Sequence, residues 1–199
     1  MNDIRFPLNF QFKIFTPSND FSVFDAGGRE IAYTRQKIFK IKESIQIFRS
    51  SSDKSELYTI KADRIIDFNA AYTVRRSADG HILGSIKRSG MKSLWKTHYS
   101  LSDAAGNPRY TLHEANPWIA LVDGLIGQIP IVGALTGYFL NPSYIIADTQ
   151  ERQVYLLKKQ PSFFERKFSL EKLAAAGAED DVLVLNAAML LMLMERGDG

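Results

Sequence analysis

Asp180-Asp181, then VLVLNAAMLLMLM (182–194), then Glu195-Arg196-Gly197 is the stretch that decides the fold. Paired acids suit the positive N-terminal end of a helix dipole, and Arg-Gly suits its close. Between them only Asn186 is polar. A helix lying on a protein surface carries a polar stripe at the helical period, and this one has none. Its thirteen apolar-run residues reach about 20 Å at 1.5 Å per residue, short of the ~30 Å hydrocarbon core of a bilayer. The segment therefore reads as a helix over 181–195 buried on every side by protein. Asn186 then needs a hydrogen-bond partner inside that core.

The chain N-terminal to it can supply the surrounding wall. Phe10, Phe12 and Ile14 alternate with Gln11 and Lys13, and Ile45 and Ile47 flank Gln46. Period two puts one face of a strand in the core and the other in water. Turn signals recur at Gly27-Gly28, Ser50-Ser51-Ser52-Asp53, Asp79-Gly80 and Gly106-Asn107-Pro108. FSVFDAGGREIAY (21–33), YTVRRSADGHILGSIK (72–87) and YSLSDAAGNPRYTLHE (99–114) share a strand–turn–strand form, and YIIADTQERQVYLLKK (144–159) repeats it without glycine. Regular short strands of this kind predict an antiparallel barrel or sandwich, and a wholly apolar helix favours a sheet curled around it.

Composition agrees with a single domain over residues 1–199. Hydrophobic residues make up 45% and charged residues 24%, which excludes a disordered chain. With no cysteine, a thiolate nucleophile, a Cys-ligated metal and a redox disulfide are excluded. A net charge of +3 permits an acidic partner without arguing for one, and makes nucleic-acid binding unlikely. The start, MNDIRFP, has neither the basic nor the apolar region of a secretory signal, so a cytoplasmic protein, peripheral at the membrane if it meets one, is expected.

The units VFDAGGREIAY (23–33) and LWKTHYSLSDAAGNPRYTL (94–112), with the ending from Phe164 through Asp180 to Glu195, resemble the tubby C-terminal-like superfamily. The resemblance is to its branch of LURP-one-related and phospholipid-scramblase-like proteins, and it covers residues 8–196. It implies a mainly antiparallel β fold, a barrel of about twelve strands wrapped round a central hydrophobic helix. It also implies an association with membrane lipid. The chain differs from animal scramblases in lacking a cysteine-rich segment, an external C-terminal membrane helix and a clear acidic calcium loop. It also carries an apolar insertion over 117–141.

That insertion, WIALVDGLIGQIPIVGALTGYFL (118–140), is long enough to span a bilayer, but Asp123, Gln128, Pro130 and four glycines interrupt it. It reads as a membrane-contacting segment, as a partner or dimer patch, or as short helices packed on the barrel. Trp118, Leu121, Leu125 and Ile126 are the residues expected to make a membrane or partner contact.

Catalytic motifs are absent. There is no G-x-S-x-G elbow and no HExxH or EF-hand pattern. GSIKRSGMKS (84–93) has a P-loop flavour, but its glycine and lysine spacings are each one residue too long. If Leu101 pairs with Tyr110, His98 faces His113 across a hairpin. Two imidazoles need a third ligand to make a metal site, and none is evident, so no metal or cofactor is expected.

Basic residues carry the functional expectation. Arg75, Arg76, Lys87, Arg88, Lys92 and Lys96 fall close together, with Asp79 the one acid between Arg75 and Leu101. With Tyr72, Val74, Ile82 and Ile86 facing inward, alternation turns Arg75 and Lys87 outward on adjacent strands. Arg75, Lys87, Lys92 and Lys96 are expected to hold lipid phosphate by charge-assisted hydrogen bonds. The run Lys37, Lys40 and Lys42 is a weaker second cluster. The expectation is a non-catalytic protein binding membrane lipid or an anionic head group. The alternative is a protein-interaction module that dimerises or binds a partner through 118–140.

Overall fold

The computed structural model describes residues 4–12, 19–36, 44–63, 71–89, 98–115, 143–160 and 167–197. Among these residues there are twelve strands: β1 (Leu8–Phe12), β2 (Asn19–Phe24), β3 (Glu30–Gln36), β4 (Ser44–Phe48), β5 (Glu56–Ala62) and β6 (Ala71–Arg76), followed by β7 (Ile82–Ser89), β8 (His98–Asp103), β9 (Pro108–Glu114), β10 (Ser143–Asp148), β11 (Gln153–Gln160) and β12 (Lys167–Lys172). One helix, α1 (Ala178–Gly197), follows them. Each strand pairs antiparallel with its neighbours in sequence, and β1 pairs with β12, so the sheet closes into a barrel with no free edge.

The alternation read from the sequence sets the inner face. Phe10, Ile45, Ile47, Ile60, Val74, Leu101, Leu112, Ile146, Leu157 and Leu170 are fully buried, while Gln11 and Gln46 between them are exposed. Every helix residue from Val182 to Leu193 except Asn186 belongs to the same cluster of buried apolar side chains. Size explains why the barrel needs them. Twelve strands about 4.8 Å apart and tilted by roughly 40° enclose a backbone ring roughly 24 Å across. Inward side chains from the wall leave roughly 12 Å, the diameter of a helix with its side chains. The helix fills that space, so it meets apolar wall on all sides and has no polar face to offer.

Gly84 marks the close approach. A Cβ there would lie 3.2 Å from the Leu183 methyls and 2.2 Å from the Ser102 carbonyl oxygen. Asn186 solves its burial within its own helix: its amide donates to the Val182 carbonyl at 2.8 Å, while Oδ1 is left without a partner. The helix also starts three residues before the expected Asp181, at Ala178, since the acidic pair occupies its first turn rather than its boundary.

Antiparallel alternation gives the two ends of the barrel different characters. The hairpin turns after β2, β4, β6, β8 and β10, and the link from β12 to the helix, all lie at one end. The strand ends joined by 13–18, 37–43, 64–70, 90–97, 116–142 and 161–166 lie at the other. At the turn end three hairpins share one bonding scheme. Asp25 Oδ1 accepts the Gly27 and Arg29 N–H groups at 3.0 Å, and Oδ2 accepts Arg29 Nε at 3.1 Å. Asp103 repeats this with Ala105 and Asn107, and Asp148 with Gln150 and Arg152. The residue after the turn's centre has positive φ each time: Gly28, Gly106 and Glu151. The sequence resemblance among these hairpins thus has an atomic basis, an aspartate that ties three backbone or side-chain donors at a time. The 72–87 hairpin departs from it, with Asp79 accepting the His81 N–H and pairing with Arg76.

The same end anchors the helix. Asp180 accepts a two-pronged bond from Arg109, at 3.2 and 2.8 Å. Asp181 takes the Tyr155 hydroxyl at 2.6 Å and the Lys172 ammonium at 2.7 Å, and Lys172 also donates to the Ala176 carbonyl. Carboxylates in the first turn favour the helix dipole, and their partners on β9, β11 and β12 fix the helix to the wall.

Candidate functional site

The helix and the inward wall residues share one buried apolar cluster, and among the described residues the exposed charged side chains lie on the outer wall and at the ends. Among the described residues, five arginines of the turn end are held by carboxylates: Arg29 by Asp25, Arg49 by Asp53, Arg76 by Asp79, Arg109 by Asp180 and Arg152 by Asp148. Lys61, Arg75 and Lys87 differ. They are exposed on the outer faces of β5, β6 and β7, with no carboxylate within ion-pair distance among the described residues.

The register places them. Ala71 pairs with Lys87, and Arg75 is four residues further along β6. Arg75 and Lys87 are therefore outward on adjacent strands, as alternation requires, but about 14 Å apart from four residues of rise and one strand spacing. One phosphate cannot be shared by two side chains that far apart while they stand upright on the sheet. Lys61 pairs with Thr73, midway between, which brings it to within about 8 Å of Arg75. The period-two pattern of Tyr58, Ile60 and Lys61 was sufficient to find Lys61, which the basic clustering missed.

Two acids border this face. Asp63 accepts a hydrogen bond from Thr73 Oγ1 at 2.9 Å. Glu56 is held by Ser77 and Gln46, each at 2.8 Å, beside Thr59, the residue paired with Arg75. Glu56 thus partly neutralises the Arg75 end of the patch, while Asp63, whose N–H donates to the Ala71 carbonyl, lies in the row of Lys87. The Lys87 side continues onto β8 and β9, where Ser100 and Thr111 are its lateral neighbours. One residue pair beyond, His98 and His113 face each other, with ring centroids 6.0 Å apart. Among the described residues no group of three or more metal-ligating side chains occurs, so this pair supplies two nitrogens and no third ligand.

Two inner placements correct the sequence expectation. A β-bulge between Val74 and Arg75 sets Ile82 opposite Arg75, so Ile82 is half-buried on the outer side, and Leu83 and Gly84 take the buried places. Arg88, paired with the inward Tyr99, belongs to the inner face at the end of β7 rather than to the outer basic face. Arg76 is spent on Asp79. Lys92, Lys96, Trp118, Leu121, Leu125 and Ile126 lie outside the described residues, as do Lys37, Lys40 and Lys42. The segments carrying them leave and rejoin the barrel at the end opposite the hairpin turns.

A second polar cluster sits outside β2 and β3. Asp20, buried, accepts the Tyr33 hydroxyl at 2.8 Å, with Arg35 at 3.8 Å. Burial and the bond to Asp20 push the Tyr33 phenol up to about 12. The ammonium of Lys54 stands 3.5 Å over the Tyr33 ring. The cluster ties β2 to β3.

No helix among the described residues is long and apolar enough to cross a membrane. Comparison with family models, with curated proteins and with solved structures finds no match to this chain.

Proposed function

We propose that this protein is a non-catalytic binder of anionic membrane lipid, held at the outer wall of the barrel. The observation that carries the reading is the contrast among cations: five turn-end arginines are clamped by aspartates, while Lys61, Arg75 and Lys87 are exposed without such partners among the described residues. Lys92 and Lys96 follow β7 in the sequence and belong to the same proposal. The spacing of the three cations favours an array of head groups over one phosphate, and so a membrane surface over a single bound head group. The resemblance to lipid-associated barrels points the same way.

Basic residues near an anionic surface contribute about 1 kcal/mol each, so removing three weakens binding roughly 100-fold. The test is co-sedimentation with neutral, phosphatidylserine and phosphoinositide vesicles at low and high salt, comparing the wild type with K61S/R75S/K87S. Salt-sensitive binding to anionic vesicles, lost in the variant, is expected. Salt-resistant binding to all vesicles moves the contact to 118–140. Absence of binding leaves a protein partner as the occupant.

A further inference from the structure

The row that holds Lys87 also holds an acid. Asp63, just past the end of β5, donates its N–H to the Ala71 carbonyl, and Ala71 pairs with Lys87 on β7. Asp63, Ala71 and Lys87 therefore stand side by side, and Ala71, with only a methyl, leaves a notch between the two charges. Lys61 pairs with Thr73 in the next row, and Thr73 pairs in turn with Ser85. Lys61, Asp63 and Lys87 are exposed, while Ala71 and Thr73 are half-buried. Strand rise and spacing put Asp63 about 7 Å from Lys61 and about 10 Å from Lys87 along the sheet. Among the described residues neither lysine lies within ion-pair distance of a carboxylate, and both Asp63 oxygens take the Thr73 hydroxyl, at 2.9 and 3.0 Å. Resting on the reading above, we infer that this notch selects the phosphoserine head group of a membrane phospholipid, with its ammonium on Asp63 and its phosphate and carboxylate on Lys61 and Lys87.

The argument is charge complementarity. The head group of phosphatidylserine carries two anionic groups and one ammonium, and the notch presents two ammonium groups and one carboxylate. The lysines stand about 12 Å apart at the sheet, from two strand spacings and two residues of rise. One phosphate does not fit that separation, but a head group with two separate anions does, as the flexible four-carbon stems lean inward over Ala71. Ser85 and Ser100, the outward residues beside Lys87 on β7 and β8, add hydroxyl donors for phosphate oxygens.

Asp63 is what separates this head group from other anionic ones. A face that only attracts negative charge gains nothing from a carboxylate in the row of Lys87. Phosphatidylglycerol and the phosphoinositides have no amine, so Asp63 repels them without return, and specificity comes from that repulsion as much as from the new contact. The same residue favours a lipid over a phosphorylated protein. In a peptide chain the nitrogen of phosphoserine is an uncharged amide, whereas in the lipid it is a free ammonium that a carboxylate can hold.

The measurement is binding to phosphatidylserine and phosphatidylglycerol vesicles of matched surface charge, in constant salt, for wild type, D63N and A71L. D63N keeps an oxygen for Thr73, and A71L fills the notch without changing charge. Wild type should bind phosphatidylserine about 5-fold more tightly than phosphatidylglycerol, the effect of about one charge at a membrane surface. D63N should bind phosphatidylglycerol about 5-fold more tightly than wild type does, with its phosphatidylserine affinity changed by less than about 2-fold, so the preference vanishes. A71L should leave phosphatidylglycerol binding unchanged and bring phosphatidylserine binding down to it. Equal wild-type binding to both lipids overturns the inference while leaving the lipid reading intact. So does a D63N variant that tightens on both lipids alike, since Asp63 then acts through total charge alone. No binding to either vesicle overturns the lipid reading itself, and the inference with it. Circular dichroism shows that each variant is folded, since both substitutions lie on the outer face.

Discussion

At the scale of single residues, Gly84 is where the two layers of the molecule meet. It has φ of 157°, and a Cβ there would run into the Ser102 carbonyl at 2.2 Å, a backbone atom that cannot move aside cheaply. Gly106 also has positive φ, 85°, but open space around it. The two glycines therefore separate conformational strain from collision. Gly84→Ala should cost about 2–4 kcal/mol through both, and Gly106→Ala about 1–2 kcal/mol through backbone strain alone. Urea midpoints of the two variants measure the difference; equal midpoints would show that β7 and β8 part easily. None of this was visible in the sequence, where Gly84 stood out only as the first glycine of the 84–93 stretch. Its role depends on Leu183, almost a hundred positions later in the chain.

At the scale of elements, the helix is a core component rather than an attachment. Each large apolar side chain it buries contributes about 1.5–3 kcal/mol. Together those side chains exceed the net stability of an ordinary domain, about 5–15 kcal/mol, so the barrel has no folded state without them. Leu190 is fully buried at its middle. Leu190→Lys should abolish cooperative unfolding, costing more than about 4 kcal/mol, because a lone ammonium there has neither water nor a counter-charge. Leu190→Met keeps volume and apolarity and should cost less than about 1.5 kcal/mol. Thermal melts decide it: a Lys variant melting with the wild type would place the helix outside the wall. This element was the most legible part of the sequence, since an all-apolar helix too short for a bilayer has few other places to go. Its anchors were not: Asp180 and Asp181 were read as dipole partners, and their bonds to Arg109, Tyr155 and Lys172 depend on strands far off in the sequence.

At the scale of the whole molecule, the barrel divides its labour between ends. One end carries tight turns, and its carboxylates tie the sheet together. Burial works against the charged form of Asp25 and Asp148, yet the N–H bonds and the neighbouring Arg29 and Arg152 outweigh it and hold both below the ordinary 3.8. The Asn107 side chain and N–H do the same for Asp103, despite some desolvation. A carboxyl lowered in the folded state stabilises it fully above the ordinary carboxylate range, and that stabilisation is lost as pH falls through the folded value. Melting temperature should therefore fall from about pH 5 downward. D25N/D103N/D148N should melt lower than wild type at pH 7 and lose less on acidification; parallel curves would mean other groups drive acid unfolding. The opposite end receives the segments that hold Lys92, Lys96 and the apolar 118–140 stretch, and the outer face leading to it carries Lys61, Lys87 and the histidine pair. By itself the sequence determined the period-two strands, the apolar helix and hence a sheet curled round it, because hydrophobic period and turn chemistry are local properties. It determined the facing of His98 and His113 as well, once the hairpin register was reasoned out. Only the tertiary structure decided which cations are clamped and which are exposed, that a bulge turns Ile82 outward, and that Arg75 and Lys87 stand too far apart for one phosphate. Those are matters of register and of partners distant in the chain, and no local pattern encodes them.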